Sequence, residues 1–290
     1  SIVHVMTRRQ AFDSIYYAGL PLYGDREARA VSYYLMENVY GVSKTNMALY
    51  ANANMSGEIR PEAIAAQVAA GRPAQHISGR AYFCGMWFDV DKNVLIPRPE
   101  TEELVRWIVS EAPAKAKILD IGTGSGAIAI SLGAALTDAD IAATDIMSGA
   151  LRVAERNAEK NGVKVKILHA DALLDTEQWN GQWKHESFDV VVSNPPYIPA
   201  SDRPSMMVNV TEYEPHEALF VDDNDPLIFY RAVACHAIAL LKPGGTLYFE
   251  IYEKNGRSMV RLMEDHGFTD IELRRDLNGK DRMLRCRKKV

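Results

Sequence analysis

Asn194-Pro195-Pro196-Tyr197 closes an apolar run, Phe188 to Ser193, that reads as a buried strand. Each proline lacks an N–H, fixes its own φ and restricts the residue before it, so the carbonyls of Asn194 and Pro195 are held stiffly. A planar NH2 group has two hydrogens to donate, and the Asn194 side-chain oxygen together with the Pro195 carbonyl can accept both. The nitrogen lone pair is then aimed away from the loop, toward whatever electrophile lies opposite. Displacement on an electrophile held opposite is accelerated by such orientation without any nucleophilic side chain. Tyr197 is expected to pack against the flat amide or base. The bland alternative is a rigid proline turn that ends a strand.

A second constellation precedes it. Ile118-Leu119-Asp120-Ile121-Gly122-Thr123-Gly124-Ser125-Gly126 sets a glycine-rich turn between a strand and a helix, where backbone can approach a ligand closely. Its spacing departs from the pyrophosphate-binding G-x-G-x-x-G, and a tight turn with no ligand would look the same. The next strand ends at Asp145, where a carboxylate can accept both hydroxyl hydrogens of a ribose or cap the following helix. A third strand ends at His169-Ala170-Asp171-Ala172, and Asp171 can accept from the exocyclic amine of adenine. Glycine turn, ribose acid and adenine acid at three successive strand ends point to an adenosine-bearing ligand more strongly than any one alone.

These loops need a scaffold. From Lys117 onward, strand-like runs (Lys117–Gly122, Asp140–Ile146, Lys164–Asp171, Phe188–Asn194, Gly245–Ile251) alternate with helical stretches, which predicts an α/β fold with a parallel sheet covered on both faces. Asp270–Asp276 and Arg282–Lys288 flank Leu277-Asn278-Gly279 and are expected to be antiparallel neighbours. Residues 7–70 carry helical periodicity, with breaks expected at Gly19-Leu20-Pro21, Tyr40-Gly41 and Met55-Ser56-Gly57 and a helix start at Pro61. Aromatic runs around Gly85 read as a hairpin. The expected organisation is a helical domain over 1–80 that recognises a substrate, a β-hairpin linker over 81–98, and a catalytic domain over 99–290.

Composition is that of an ordinary globular chain: 290 residues, 47% hydrophobic and 24% charged. With 33 Lys plus Arg against 38 Asp plus Glu, no broad phosphate-gripping surface is expected. The basic residues near the C-terminus, Arg282, Arg285, Arg287, Lys288 and Lys289, read as a solvated strand end. Cys84, Cys235 and Cys286 are too dispersed for a zinc site, so no metal is expected and a reducing, cytoplasmic setting is. Around Phe229–Leu241 the apolar run is interrupted by Arg231 and His236 and is too short to span a bilayer. Polar residues break up the first ten positions, unlike a signal peptide.

Together these residues resemble the class I methyltransferases and, more narrowly, the HemK/PrmC family of protein-(glutamine-N5) methyltransferases acting on peptide chain release factors. Leu95-Ile96-Pro97-Arg98-Pro99-Glu100-Thr101-Glu102, Gly122–Gly126, Asn194–Tyr197 and Glu214-Pro215-His216-Glu217-Ala218-Leu219 carry the resemblance, which spans nearly the whole chain. It implies a Rossmann-like domain with an antiparallel last strand and S-adenosyl-L-methionine as cofactor, leaving S-adenosyl-L-homocysteine. It implies cofactor contacts from Gly122, Thr123, Gly124, Ser125, Gly126, Asp145, Asp171, Ala172 and Asn194, and a catalytic and substrate-binding slot from Asn194, Pro195, Pro196 and Tyr197. The implied partner is a release factor, methylated at the glutamine of its Gly-Gly-Gln loop by a monomeric enzyme, with no membrane and no direct nucleic-acid contact. Arg98, Glu100 and Glu102 fall in the family's linker motif, where salt bridge and ligand contact are both open. Ala172 replaces an aromatic common in relatives, and Phe249-Glu250-Ile251-Tyr252-Glu253 lacks their glycine. Other readings are a ribosomal-protein glutamine methyltransferase, a nucleic-acid adenine-N6 methyltransferase, which the same loop would suit, and a binding protein that has lost activity.

Overall fold

The computed structural model describes residues 5–175, 179, 181–206, 210 and 212–290. The chain divides into two compact units, one comprising residues 1–80 and 207–213 and the other residues 81–206 and 214–290.

The first unit is helical. Helix α1 (Arg8–Tyr40) opens on a capping box, the Thr7 hydroxyl accepting from the Gln10 N–H while the Gln10 side chain accepts from the Thr7 N–H. Gly41, at φ 71, closes it, as the sequence predicts. The break expected at Gly19–Pro21 falls instead at Gly24, whose φ 76 and ψ 175 are open only to glycine. Gly19 stays helical for a packing reason: a Cβ there would lie 3.2 Å from Val68 of α3 (Pro61–Ala69), so the glycine admits that helix. The short helices α2 (Lys44–Leu49) and α4 (Ala74–Ser78) complete the unit. Its core is Ala11, Phe12, Ile15, Leu35, Met36, Val42, Met47, Ile64 and Val68.

The second unit is α/β. Its hairpin, β1 (Arg80–Phe83) and β2 (Met86–Asp89), sends Phe83 and Phe88 into one cluster with Leu104 and Ile108 of α5 (Pro99–Glu111). A seven-stranded sheet follows in the order β10-β11-β9-β6-β3-β4-β5. Strands β3 (Lys117–Ile121), β4 (Asp140–Asp145), β5 (Lys166–His169), β6 (Phe188–Ser193) and β9 (Leu241–Glu250) run parallel. Strand β11 (Asp281–Arg287) lies antiparallel to both β9 and β10 (Thr269–Arg275). This is the mostly parallel sheet that the alternation predicts, with the antiparallel last pair that the Leu277-Asn278-Gly279 turn predicts.

Successive side chains of a strand point to opposite faces, and here both faces are buried. Ile118, Val190 and Val192 face α5 and α6 (Ala127–Ala135). Leu119, Ile121 and Val191 face residues of the helix Ile228–Leu240 and of Gly256–Asp265. Helix α7 (Ser148–Lys160) packs Ala150 and Val153 against Val90, Val94 and Ile96. The short parallel pair β7 (Ile198–Pro199) and β8 (Phe220–Val221) stands apart, with α8 (His216–Leu219) before β8 and α9 (Ile228–Leu240) after it; Gly256–Asp265 is α10. The basic C-terminal strand end is largely neutralised: Arg285 pairs with Glu111 at 2.6 Å, Arg287 with Asp270 at 3.7 Å and Lys288 with Glu186 at 3.2 Å.

Candidate active site

The carboxyl ends of β3, β4, β5 and β6 open into one cavity of about 360 Å³, the place where open parallel sheets bind ligands. Gly122, Thr123, Gly124, Ser125, Asp145, Asp171, Ala172, Asn194 and Pro196 line it. Of the residues singled out in the sequence, Gly126, Pro195 and Tyr197 are absent from the lining. The three glycines therefore differ in role. A methyl group on Gly122 (φ 77) or Gly124 (φ 57) would meet nothing within 4 Å, so their backbone stands open toward a ligand. A Cβ on Gly126 (φ 83) would lie 2.8 Å from Ile130 and 3.3 Å from Ala154, so that glycine lets α6 and α7 approach.

Two carboxylates stiffen the turn. Asp145 accepts from the Gly124 N–H through Oδ2 and from the Met147 N–H through Oδ1, both at 2.9 Å. It ties the glycine turn to the entry of α7 without being that helix's cap, and each oxygen keeps a lone pair for a further donor. Burial raises its pKa, and the backbone N–H bonds oppose that rise. Asp120 is buried in β3, with Oδ2 accepting from the Thr123 hydroxyl at 2.7 Å and Oδ1 lacking any partner among the described residues. Burial, opposed by the Thr123 bond and reinforced by the charge of Asp145, pushes its pKa up to about 7.

On the next strand end, Asp171 Oδ1 accepts from the Leu173 N–H at 2.9 Å, and His236 Nε2 meets the Ala172 carbonyl at 2.8 Å. Ile146, Met147 and Leu173 also line the cavity, although these apolar side chains are 48%, 37% and 46% exposed. Exposed apolar groups around a cavity form a slot suited to a flat ring. They supply apolar surface where Ala172 offers little.

The Asn-Pro-Pro-Tyr loop leaves β6 just after Ser193, whose hydroxyl donates to the Ile121 carbonyl at 2.7 Å and welds the ends of β6 and β3 together. Asn194 and Pro196 face the cavity. Tyr197 is committed elsewhere. Its hydroxyl donates to Glu250 Oε2 at 3.0 Å and its ring stacks on Tyr252, with centroids 5.8 Å apart.

The comparisons with known proteins bear on this arrangement. Residues 99–211 match the family model described as "Methyltransferase small domain". The chain is 38% identical over 271 residues to the release factor glutamine methyltransferase of Flavobacterium psychrophilum, covering 91% of this chain and 93% of that one. It is 40% identical over 265 residues to the protein of the same name from Bacteroides thetaiotaomicron, covering 91% and 94%. The chain belongs to the release factor glutamine methyltransferase family. It is therefore a methyltransferase. A solved methyltransferase from Pyrococcus furiosus is also similar, at 18% identity and a TM-score of 0.49, over 70% of this chain and 89% of that one.

In this member of the family, the linker residue Arg98 makes a two-pronged pair with Glu214, one nitrogen reaching Oε1 at 2.9 Å. Glu214 also accepts from the Ile96 N–H at 2.7 Å. Arg98 is thus a salt-bridge residue, and it lines the cavity as well. Among the described residues Glu102 makes only a loose surface pair with Arg106, at 3.7 Å, and neither Glu100 nor Glu102 lines the cavity. Sequence reasoning missed four features: Asp120, Glu250, the Ile146–Met147–Leu173 slot and the partnership of Arg98 with Glu214. Asp120 and Glu250 carry a signal, each being an acid inside an apolar strand, where a charge needs a reason. No helix of the described residues is long and apolar enough to cross a membrane, and no metal-holding cluster occurs among them.

Proposed function

We propose that the chain transfers the methyl group of S-adenosyl-L-methionine to the side-chain amide nitrogen of the glutamine in the Gly-Gly-Gln loop of peptide chain release factors. One observation carries the reading: the glycine turn, the Asp145 and Asp171 strand ends, and Asn194 with Pro196 all open into the same cavity. The residues present suit that cofactor. Gly122 and Gly124 leave room for it, Asp145 has lone pairs for ribose hydroxyls, and Asp171 can accept from the adenine amine beside the apolar slot. When bound, it supplies a methyl group on a sulfonium.

The chain's own part is to orient the acceptor nitrogen. The Asn194 side-chain oxygen accepts one amide hydrogen and Pro196 walls the slot, both residues lining the cavity; the Pro195 carbonyl, between these two lining residues though outside the lining itself, is the acceptor proposed for the second hydrogen. These bonds strengthen as positive charge develops on nitrogen, which favours the transition state over the ground state. In this reading, residues 1–80 recognise the release factor, 81–98 link, and 99–290 catalyse, in a cytoplasmic monomer that needs no nucleic acid. Support for the substrate comes from the names of the relatives and from the geometry that an amide NH2 requires.

Paired variants test the division of labour. Asn194→Ala is expected to keep cofactor affinity within about twofold and to lose about a hundredfold in kcat, the scale of one lost transition-state hydrogen bond. Asp145→Ala is expected to weaken cofactor binding by about tenfold. Calorimetric titration with S-adenosyl-L-homocysteine and steady-state transfer separate the two, and normal turnover by Asn194→Ala sinks the orientation mechanism.

A further inference from the structure

We propose that Glu250 is a positioning residue that holds the Asn194–Tyr197 loop in its reactive geometry through the Tyr197 hydroxyl; this rests on the reading of that loop as the acceptor site. Glu250 ends β9 and is 3% exposed. Its Oε2 accepts from Tyr197, its Oε1 accepts from the Thr101 hydroxyl in the first turn of α5, and its backbone carbonyl accepts from the Tyr230 hydroxyl at 3.0 Å. Arg282 on β11 donates to the Tyr197 oxygen at 3.5 Å and is itself held by Asp276 at 3.0 Å.

The donors fix the direction of this chain. Tyr197 accepts from Arg282, so its own hydrogen must go to Glu250, and Thr101 supplies the other carboxylate oxygen. Burial raises the Glu250 pKa, opposed by the Thr101 and Tyr197 hydroxyls and by the positive charges of Arg282 and Arg98; two hydroxyl donors, one on each oxygen, match the acceptor capacity of a carboxylate. Tyr197 is separated from Asn194 only by two prolines with fixed φ. Pinning the tyrosine outside the cavity therefore pins the asparagine that faces into it. Tyr197 acts as a peg, and Glu250 as the socket that receives it.

The test uses the full chain as wild type, Tyr197→Phe, Glu250→Gln and the double variant. Tyr197→Phe keeps the ring on Tyr252 and removes only the hydroxyl, so it remains informative if Glu250→Gln folds poorly. Each single variant is expected to lose about tenfold in kcat with KM for the release factor and affinity for S-adenosyl-L-homocysteine nearly unchanged, as displacement of a positioned group does. The double variant is expected to lose about tenfold as well, not about a hundredfold, because both changes cut the same link. In NMR spectra of the side-chain amides, the Asn194 signal, assigned by its loss in Asn194→Ala, is expected to shift or broaden in both single variants. Wild-type kcat in Tyr197→Phe, multiplicative losses in the double variant, or loss of cofactor affinity in step with kcat overturns the proposal. If wild type methylates no release factor, the functional reading fails by itself. The amide spectrum then decides the anchor, and an Asn194 signal unmoved in both variants refutes it.

Discussion

Gly126→Ala and Gly124→Ala alter the same turn by the same methyl group, yet the structure predicts different consequences. Both glycines sit at positive φ, 83 and 57, where an alanine costs roughly 1–2 kcal/mol. On Gly124 the new methyl meets nothing within 4 Å. On Gly126 it lies 2.8 Å from the Ile130 side-chain tip and 3.3 and 3.4 Å from Cβ and Cα of Ala154. Ile130 can turn aside, but Ala154 is helix backbone and must move as a body. Overpacking of that kind adds about 1–3 kcal/mol, for a total of roughly 2–5 kcal/mol at Gly126. At about 2–4 °C per kcal/mol for a domain of this size, Gly126→Ala is expected to lower the melting temperature by about 4–20 °C and Gly124→Ala by about 2–8 °C. Titration with S-adenosyl-L-homocysteine should invert the ranking, because the methyl on Gly124 enters ligand space. Urea unfolding with unchanged m gives the stability difference directly. Equal destabilisation by the two variants refutes the assignment of Gly126 to helix packing and Gly124 to the ligand.

Arg98→Ala strips the guanidinium from Glu214, whose side chain is 1% exposed, and is expected to cost about 3–5 kcal/mol in urea unfolding, with Arg98→Lys in between. A loss below 1 kcal/mol contradicts the pairing as a structural element. For Asp120 the sign follows from its pKa, which burial raises to about 7 in the folded chain. Between the ordinary aspartate value and about 7, the folded chain holds a proton that the unfolded chain has released. Stability from this group therefore falls as pH rises through that window, by at most about 1.4 kcal/mol per pH unit. Asp120→Asn is expected to flatten the stability profile there, and a profile with unchanged slope contradicts the assignment.

What could be read in the sequence was local. The alternation of apolar strands and helices, the Pro61 helix start, the Gly41 stop and the last hairpin each rest on periodicity or on a turn residue, and the structure has them. The loops at the ends of four parallel strands meet in one cavity because parallel topology leaves them no other place. What escaped was decided by distant partners. Gly19 and Pro21 read as a break, yet Val68 of another helix makes Gly19 a contact, and the chain bends at Gly24 instead. Tyr197 was expected against the acceptor, but its hydroxyl is claimed by Glu250, 53 positions away. Arg98 and Glu214 are 116 apart, and no spacing rule connects them. The apolar slot is built from Ile146, Met147 and Leu173, residues that any surface loop can carry.

Transfer of a labelled methyl group from S-adenosyl-L-methionine, run in parallel on purified release factor, its Gly-Gly-Gln loop Gln→Ala variant and duplex DNA, decides whether a glutamine amide is the acceptor. The orientation of a glutamine amide by Asn194 and Pro195 predicts label on the unaltered release factor alone. Label on the Gln→Ala variant or on DNA contradicts it, and label on DNA would turn the same loop into a site for the adenine amine.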